Sequence, residues 1–179
     1  MSVYIALLRG INVGGKNKIK MSELKDALEA IELRRVRTYI QSGNVLFESA
    51  EGPKCLCRRI EDQIQAVFGI ASTVVLRTAE ELQMVVRNCP YGGGALKEGE
   101  SIHVSLLTEV PTQERVMRLL DGESGADEWC LNGREIYALL RQSVLDSRLA
   151  RNIQKLGNCV TTRNLNTIHK LVALASDMQ

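Results

Sequence analysis

Two alternating, strand-like segments, RVRTYIQ (Arg35–Gln41) and NVLFES (Asn44–Ser49), are separated only by Ser42-Gly43. A connection that short joins antiparallel strands. An all-parallel sheet needs a crossover between neighbours, so this part of the chain cannot be one. The flanking segments complete the pattern. VYIALL (Val3–Leu8) reads as a central strand because it is almost wholly apolar. Leu24, Ala27, Leu28 and Ile31 have helical spacing, with Ser22 as the expected N-cap. A second helix starts at Pro53, carries Leu56, Ile60, Ile64 and Val67 on one stripe, and ends at Gly69. STVVLR (Ser72–Arg77) is the next strand, so the order is βαββαβ.

The second half repeats that order with an extra helix at each end. Thr78 to Glu81 forms a capping box before Leu82, Val85, Val86 and Cys89. NCPYGGGALKEGE (Asn88–Glu100) reads as a loop, either linker or lid. IHVSLL (Ile102–Leu107) is a strand, and Pro111-Thr112 opens a short helix bearing Val116, Leu119 and Leu120. DEWCL and REIYALL flank Asn132-Gly133, a strong hairpin signal. A helix carrying Leu145, Leu149, Ile153 and Leu156 is expected to open at a Ser143–Asp146 capping box and close at Gly157. CVTTR (Cys159–Arg163) gives a last strand and Leu165–Ala175 a last helix. The predicted class is α+β, with two ferredoxin-like (βαββαβ) plait subdomains at residues 1–78 and 79–179. The duplication rests on element order, since no residue-level repeat is evident.

A length of 179 residues accommodates one domain or two small ones, and 45% hydrophobic residues suffice for a core. No apolar run reaches about 18 residues, so no membrane span is expected. The opening MSVYIALLRG lacks a basic n-region and a small-residue cleavage site, unlike a signal peptide. Five cysteines without framework spacing fit a reducing cytosol, so the expected location is cytoplasmic. Charge is unevenly spread. Residues 1–47 hold eight Lys/Arg against four Asp/Glu, net +4, and residues 141–170 hold six against one, net +5. Residues 79–135 between them hold five against eleven, net −6. These are either solvated surfaces or basic segments that attract an anion.

The densest basic stretch is RGINVGGKNKIK (Arg9–Lys20), with three glycines, two asparagines, four cations and no acid. Glycines let backbone N–H groups approach an anion, and cations complete the charge. Gly10 to Lys16 reads G-x-x-x-x-G-K, but Asn17 stands where a P-loop needs Ser or Thr for Mg²⁺. The helical period begins only near Ser22, and a hairpin follows in place of a parallel strand, so an NTPase is not the reading. The segment is either a tight crossover or a site for a phosphorylated or otherwise anionic small molecule. On the second reading the ligand-binding candidates are Arg9, Asn12, Gly14, Gly15, Lys16 and Lys18, joined by Asn44, Arg163 and Asn164. Asn44 could instead serve only the hairpin turn, and Asn164 a helix cap.

Other chemistry is sparse. Cys55 and Cys57 face apart on a helix, and no second pair or nearby His completes a metal site. His103 and His169 read as structural. No carboxylate pair or nucleophile–base pair stands out, so enzyme status is open and no cofactor is indicated. RNA binding is an alternative, because plaits include modules that stack bases on sheet aromatics. Here aromatics are 4% of residues, with Tyr4 and Phe47 on the first and third strands. Binding of RNA would be mainly electrostatic and salt-sensitive. A non-catalytic protein-interaction module, its acidic middle meeting a basic partner or its own basic face, is the third reading.

Four segments, LLRGINVGGKNKIKM (Leu7–Met21), TYIQSGNVLF (Thr38–Phe47), VLRTAEEL (Val75–Leu82) and TTRNLNTIHKL (Thr161–Leu171), resemble a bacterial family, domain of unknown function 1697. The resemblance implies a pair of α/β plaits and brings no activity, cofactor or catalytic residue. Two departures stand out. Leu165 occupies a position where the family has Trp, and Arg148 falls where its members carry Lys in a Pro/Gly-containing segment. If those positions shape a pocket in the family, the pocket differs here.

Overall fold

The computed structural model describes residues 1–122 and 124–179. Its strands and helices alternate as β1 (Ser2–Leu8), α1 (Met21–Glu29), β2 (Arg34–Tyr39), β3 (Asn44–Ser49), α2 (Pro53–Phe68), β4 (Val74–Thr78) and α3 (Ala79–Arg87). Then come β5 (Ser101–Leu107), α4 (Gln113–Leu120), β6 (Glu128–Asn132), β7 (Glu135–Leu140), α5 (Arg148–Gln154), β8 (Val160–Asn164) and α6 (Leu165–Ser176). Two four-stranded antiparallel sheets result, ordered β2-β3-β1-β4 and β6-β7-β5-β8. Numbered within its own half, the second sheet has the order of the first. Each is the interleaved pair of split βαβ units that defines the ferredoxin-like plait. Two compact units are seen, Met1–Gln83 with Lys170–Gln179, and Met84–His169.

In the first unit, alternation along β1 sends Tyr4, Ala6 and Leu8 into a core with Leu24 and Leu28 of α1 and Leu56, Ile60 and Ile64 of α2. Val45, Phe47, Val74 and Leu76 complete that layer. Pro53 stands at the start of α2, and Gly69 ends it in the left-handed region, φ +67°. Gln63 Nε2 donates to the Ala27 carbonyl at 2.8 Å and fixes α2 against α1. The Thr78–Glu81 capping box forms as predicted: Thr78 N–H donates to Glu81 at 2.9 Å, and Glu81 N–H to Thr78 Oγ1 at 3.1 Å. In the second unit Leu107, Val116, Leu120, Ile136, Ala138, Leu140, Leu149 and Ile153 form the equivalent core.

Four local expectations change. Val67, expected on the apolar stripe of α2, is 52% exposed, and only Leu56, Ile60 and Ile64 of that stripe are buried. Helix α1 starts at Met21, with Lys20 in the N-cap position and no side-chain cap, so Ser22 lies inside the first turn. Asn132 pairs with Glu135 across β6–β7, which makes Gly133-Arg134 the turn. Of these only Gly133 has positive φ, +59°, matching a II′ turn with glycine first. Helix α5 opens at Arg148 rather than at Ser143, and Leu145 is 82% exposed. The cause is Ser147. Its Oγ accepts from Ala150 N–H at 3.0 Å and donates to the buried Asp127 carboxylate at 2.8 Å, so the cap is satisfied at Ser147.

His103, half-buried on β5, places Nε2 2.9 Å from Ser101 Oγ. Burial lowers its pKa below the ordinary histidine value. The unfolded chain therefore binds the proton more readily, and stability falls as pH drops through and below the unfolded pKa. Thermal unfolding should begin to lose midpoint temperature below about pH 6.5. His103→Gln should flatten that slope between pH 7.5 and 5.5; an unchanged slope assigns it to other groups.

Candidate functional site

The Gly-rich segment folds as a small hairpin. Val13 and Lys16 bridge, with Lys16 N–H donating to the Val13 carbonyl at 3.0 Å. Gly14 and Gly15 both have positive φ, +57° and +75°, as a I′ turn requires. A Cβ at either would meet nothing within 4 Å, so backbone angle, not crowding, demands glycine there. This exposed tip is a hairpin turn and not a helix start, and Lys16 sits on it exposed.

Asn12 anchors the hairpin base. Its backbone takes φ +54°, and its amide group brackets Ile19 by accepting from Ile19 N–H at 2.8 Å and donating to the Ile19 carbonyl at 3.0 Å. The same Nδ2 donates to the Gln41 carbonyl at 2.7 Å. Asn17 Nδ2 donates to the Gly10 carbonyl at 2.9 Å. Antiparallel pairing of Leu7 with Asn44 brings the β2–β3 turn to the end of β1, where Leu8 N–H donates to the Gly43 carbonyl at 2.9 Å. RGINVGGKNKIK and QSGN thus meet, a juxtaposition their spacing in sequence leaves undetermined.

Where they meet, Asn12, Lys18, Ile19, Lys20, Met21, Ser22, Glu23 and Gln41 line a groove of about 660 Å³. The first turn of α1 forms one wall, and its leading N–H groups have no side-chain cap. Lys18 and Lys20 are exposed beside it. Glu23 stands 4.0 Å from Lys20, both largely exposed, so the ion pair is weak. Such a groove can hold an anion: the helix start offers N–H donors and partial positive charge, and two ammonium groups add to it.

The remaining predicted residues serve other contacts. Arg9 is half-buried, with N–H donating to the Thr73 carbonyl at 3.0 Å and its own carbonyl accepting from Ser72 Oγ at 2.8 Å. Asn44 is fully buried, and Nδ2 closes the hairpin on the Tyr39 carbonyl at 3.0 Å and Ser42 Oγ at 2.9 Å. In the second unit Arg163 donates to Thr161 Oγ1 at 2.9 Å and the Thr162 carbonyl at 3.0 Å, and burial lowers its pKa to about 10. Asn164 Oδ1 accepts from Asn166 N–H at 2.8 Å and shapes the start of α6. Ile19, Lys20, Met21, Ser22, Glu23 and Gln41 are the groove residues outside the predicted set. Locating the helix start at Met21 would have revealed those next to α1, whereas Gln41 arrives only through the pairing of β1 with β3.

Tyr4 and Phe47 do not offer a base-stacking surface. Their rings stack on each other with centroids 5.7 Å apart, and both are buried in the helix-side core. Among the described residues no helix is long and apolar enough to cross a membrane.

The fold places the chain among two-plait α+β proteins. Residues 1–137 match the family described as "Protein of unknown function (DUF1697)", and the chain belongs to that family. The match ends before the TTRNLNTIHKL motif. The solved structure of the conserved bacterial protein SP0830 from Streptococcus pneumoniae is similar, with a TM-score of 0.80 at 24% identity over 97% of this chain and 98% of that one. At that identity the likeness speaks for the fold. No curated protein matches the sequence.

Proposed function

We propose that the protein binds a phosphorylated or otherwise anionic small molecule in the groove at the N-terminus of α1. The observation that carries this reading is the coincidence of an uncapped helix start with Lys18 and Lys20 on a groove of about 660 Å³. That volume suits a ligand of nucleotide or sugar-phosphate size. Phosphate oxygens would accept from the first-turn N–H groups and from both ammonium groups, the charge-assisted kind of hydrogen bond. The Gly-rich hairpin then acts as a wall braced by Asn12, and Lys16 at its tip contributes only long-range attraction.

Isothermal titration against inorganic phosphate, pyrophosphate, sugar phosphates, nucleotides and a short RNA tests the reading. One phosphorylated small molecule should bind, and Lys18→Ala with Lys20→Ala should weaken it at least about tenfold. Glu23→Gln should tighten it by removing the competing carboxylate. Unchanged affinity in the lysine double variant overturns the groove assignment. Binding confined to RNA and abolished by salt transfers the function to nucleic acid.

A further inference from the structure

The two sheets end in outer strands of different character. In the first, β2 carries Arg34, Arg35 and Arg37, and its pairing with β3 shifts register between Arg34 and Arg37. Arginines and irregular pairing are devices that discourage a further strand from adding. In the second, β6 has regular pairing with β7, and its middle residues Trp129, Cys130 and Leu131 are all half-exposed. With Asn132 and Glu135 closing a two-residue turn, the antiparallel ladder directs the backbone groups of Trp129 and Leu131 away from β7.

The side chains of those same two residues line a groove of about 430 Å³ with Val110, Pro111, Val116 and Met117. Val110 is 66% exposed and Met117 39%. An open strand edge beside an apolar groove against a helix is the arrangement that accepts an extended peptide. Main-chain hydrogen bonds would go to Trp129 and Leu131, and alternate side chains would enter the groove. The stretch of sequence that supplies the groove's lining is acidic: residues 109–135 carry seven Asp/Glu against three Lys/Arg, net −4. Glu109 adjoins Val110 and Glu135 follows the turn, while Glu114 in the first turn of α4 pairs with Arg118 at 2.7 Å.

We infer that the β6 edge binds an extended segment of another protein, apolar at alternate positions and flanked by lysine or arginine. This site lies in the second unit and is independent of the anion groove.

Trp129, the sole tryptophan, supplies the readout. The probe is a peptide of alternating valine and threonine with two lysines at each end, added to the full chain. Trp129 emission should shift saturably, with affinity at least about tenfold greater than for the same peptide flanked by glutamates. N-methylation of the alternate amides facing β6 should abolish binding, as should Met117→Lys. Val110→Lys, at an exposed loop position, gives the same test without a folding cost. Absence of saturation with the lysine-flanked peptide overturns the inference. Equal binding by the N-methylated peptide, or by the glutamate-flanked one, does so too. Concentration-dependent dimerisation in sedimentation equilibrium, removed by Val110→Lys, would give the edge to a second copy and also overturn it.

Discussion

Gly43→Ala should lower the unfolding free energy by about 3 kcal/mol, combining a left-handed backbone with overpacking. Gly43 has φ +81°, and a Cβ placed there would lie 2.9 Å from Leu8 Cβ and 3.3 Å from Ile11 Cβ. Both neighbours are atoms fixed directly to the backbone, so no side-chain rotation relieves the clash. Either β1 or the β2–β3 turn must retreat, and the bond from Leu8 N–H to the Gly43 carbonyl weakens. Gly14→Ala is the matched control. Its φ of +57° carries a similar backbone penalty, but nothing lies within 4 Å, so the loss should be about 1 kcal/mol. Urea unfolding followed by circular dichroism separates the two. Equal losses would show that packing against Leu8 contributes nothing. Since Gln41 of the same turn lines the groove proposed to bind an anion, that reading predicts that Gly43→Ala also weakens phosphate binding while Gly14→Ala leaves it unchanged.

The architecture was legible because each local signal had one cheap solution. Ser42-Gly43 forces a hairpin, Pro53 and Gly69 bracket a helix, and the Thr78–Glu81 pair can close only as a cap. The candidate site was half legible. Its basic, glycine-rich composition pointed to the segment that borders the proposed groove, but the glycines build a I′ tip, and the groove lies several residues further on. Asn44 and Asn164 show why residue type alone leaves the choice between turn and ligand open. An asparagine near a turn meets the needs of backbone groups at least as readily as those of a ligand. Helix α5 was misplaced for a longer-range reason. Ser143 and Ser147 are both acceptable caps locally, and only the carboxylate of Asp127, twenty residues earlier, distinguishes them. Tyr4 and Phe47 lay on the expected strands, but strand assignment alone does not say which sheet face meets the helices.

That carboxylate underlies the second large effect. Asp127 is only 3% exposed and accepts from Arg141 N–H at 2.7 Å, Ser147 Oγ at 2.8 Å and Gln142 Nε2 at 3.2 Å. It therefore ties the end of β7 and the start of α5 to the residue preceding β6. Asp127→Ala removes the acceptor for all three donors and leaves the fully buried Ser147 hydroxyl without its carboxylate. Hydrogen bonds to a charged group contribute about 1.5–3 kcal/mol each, and rehydration of Arg141 and Gln142, both exposed, recovers part of the loss. The expected net destabilisation is about 3 kcal/mol, with faster amide exchange at Ala150, whose N–H is capped by Ser147. Asp127→Asn should fall between, since one oxygen survives and the other becomes a donor facing a donor. Glu128→Gln supplies the contrast. Its carboxylate pairs with Arg141 at 2.7 Å, but the side chains are 52% and 40% exposed, so the change should stay within about 0.5 kcal/mol. If Asp127→Ala and Glu128→Gln cost the same, the cap on α5 is held by Ser147 alone. The helix start would then be set by local sequence, and Ser143 would have to lose to Ser147 for some reason other than this buried carboxylate.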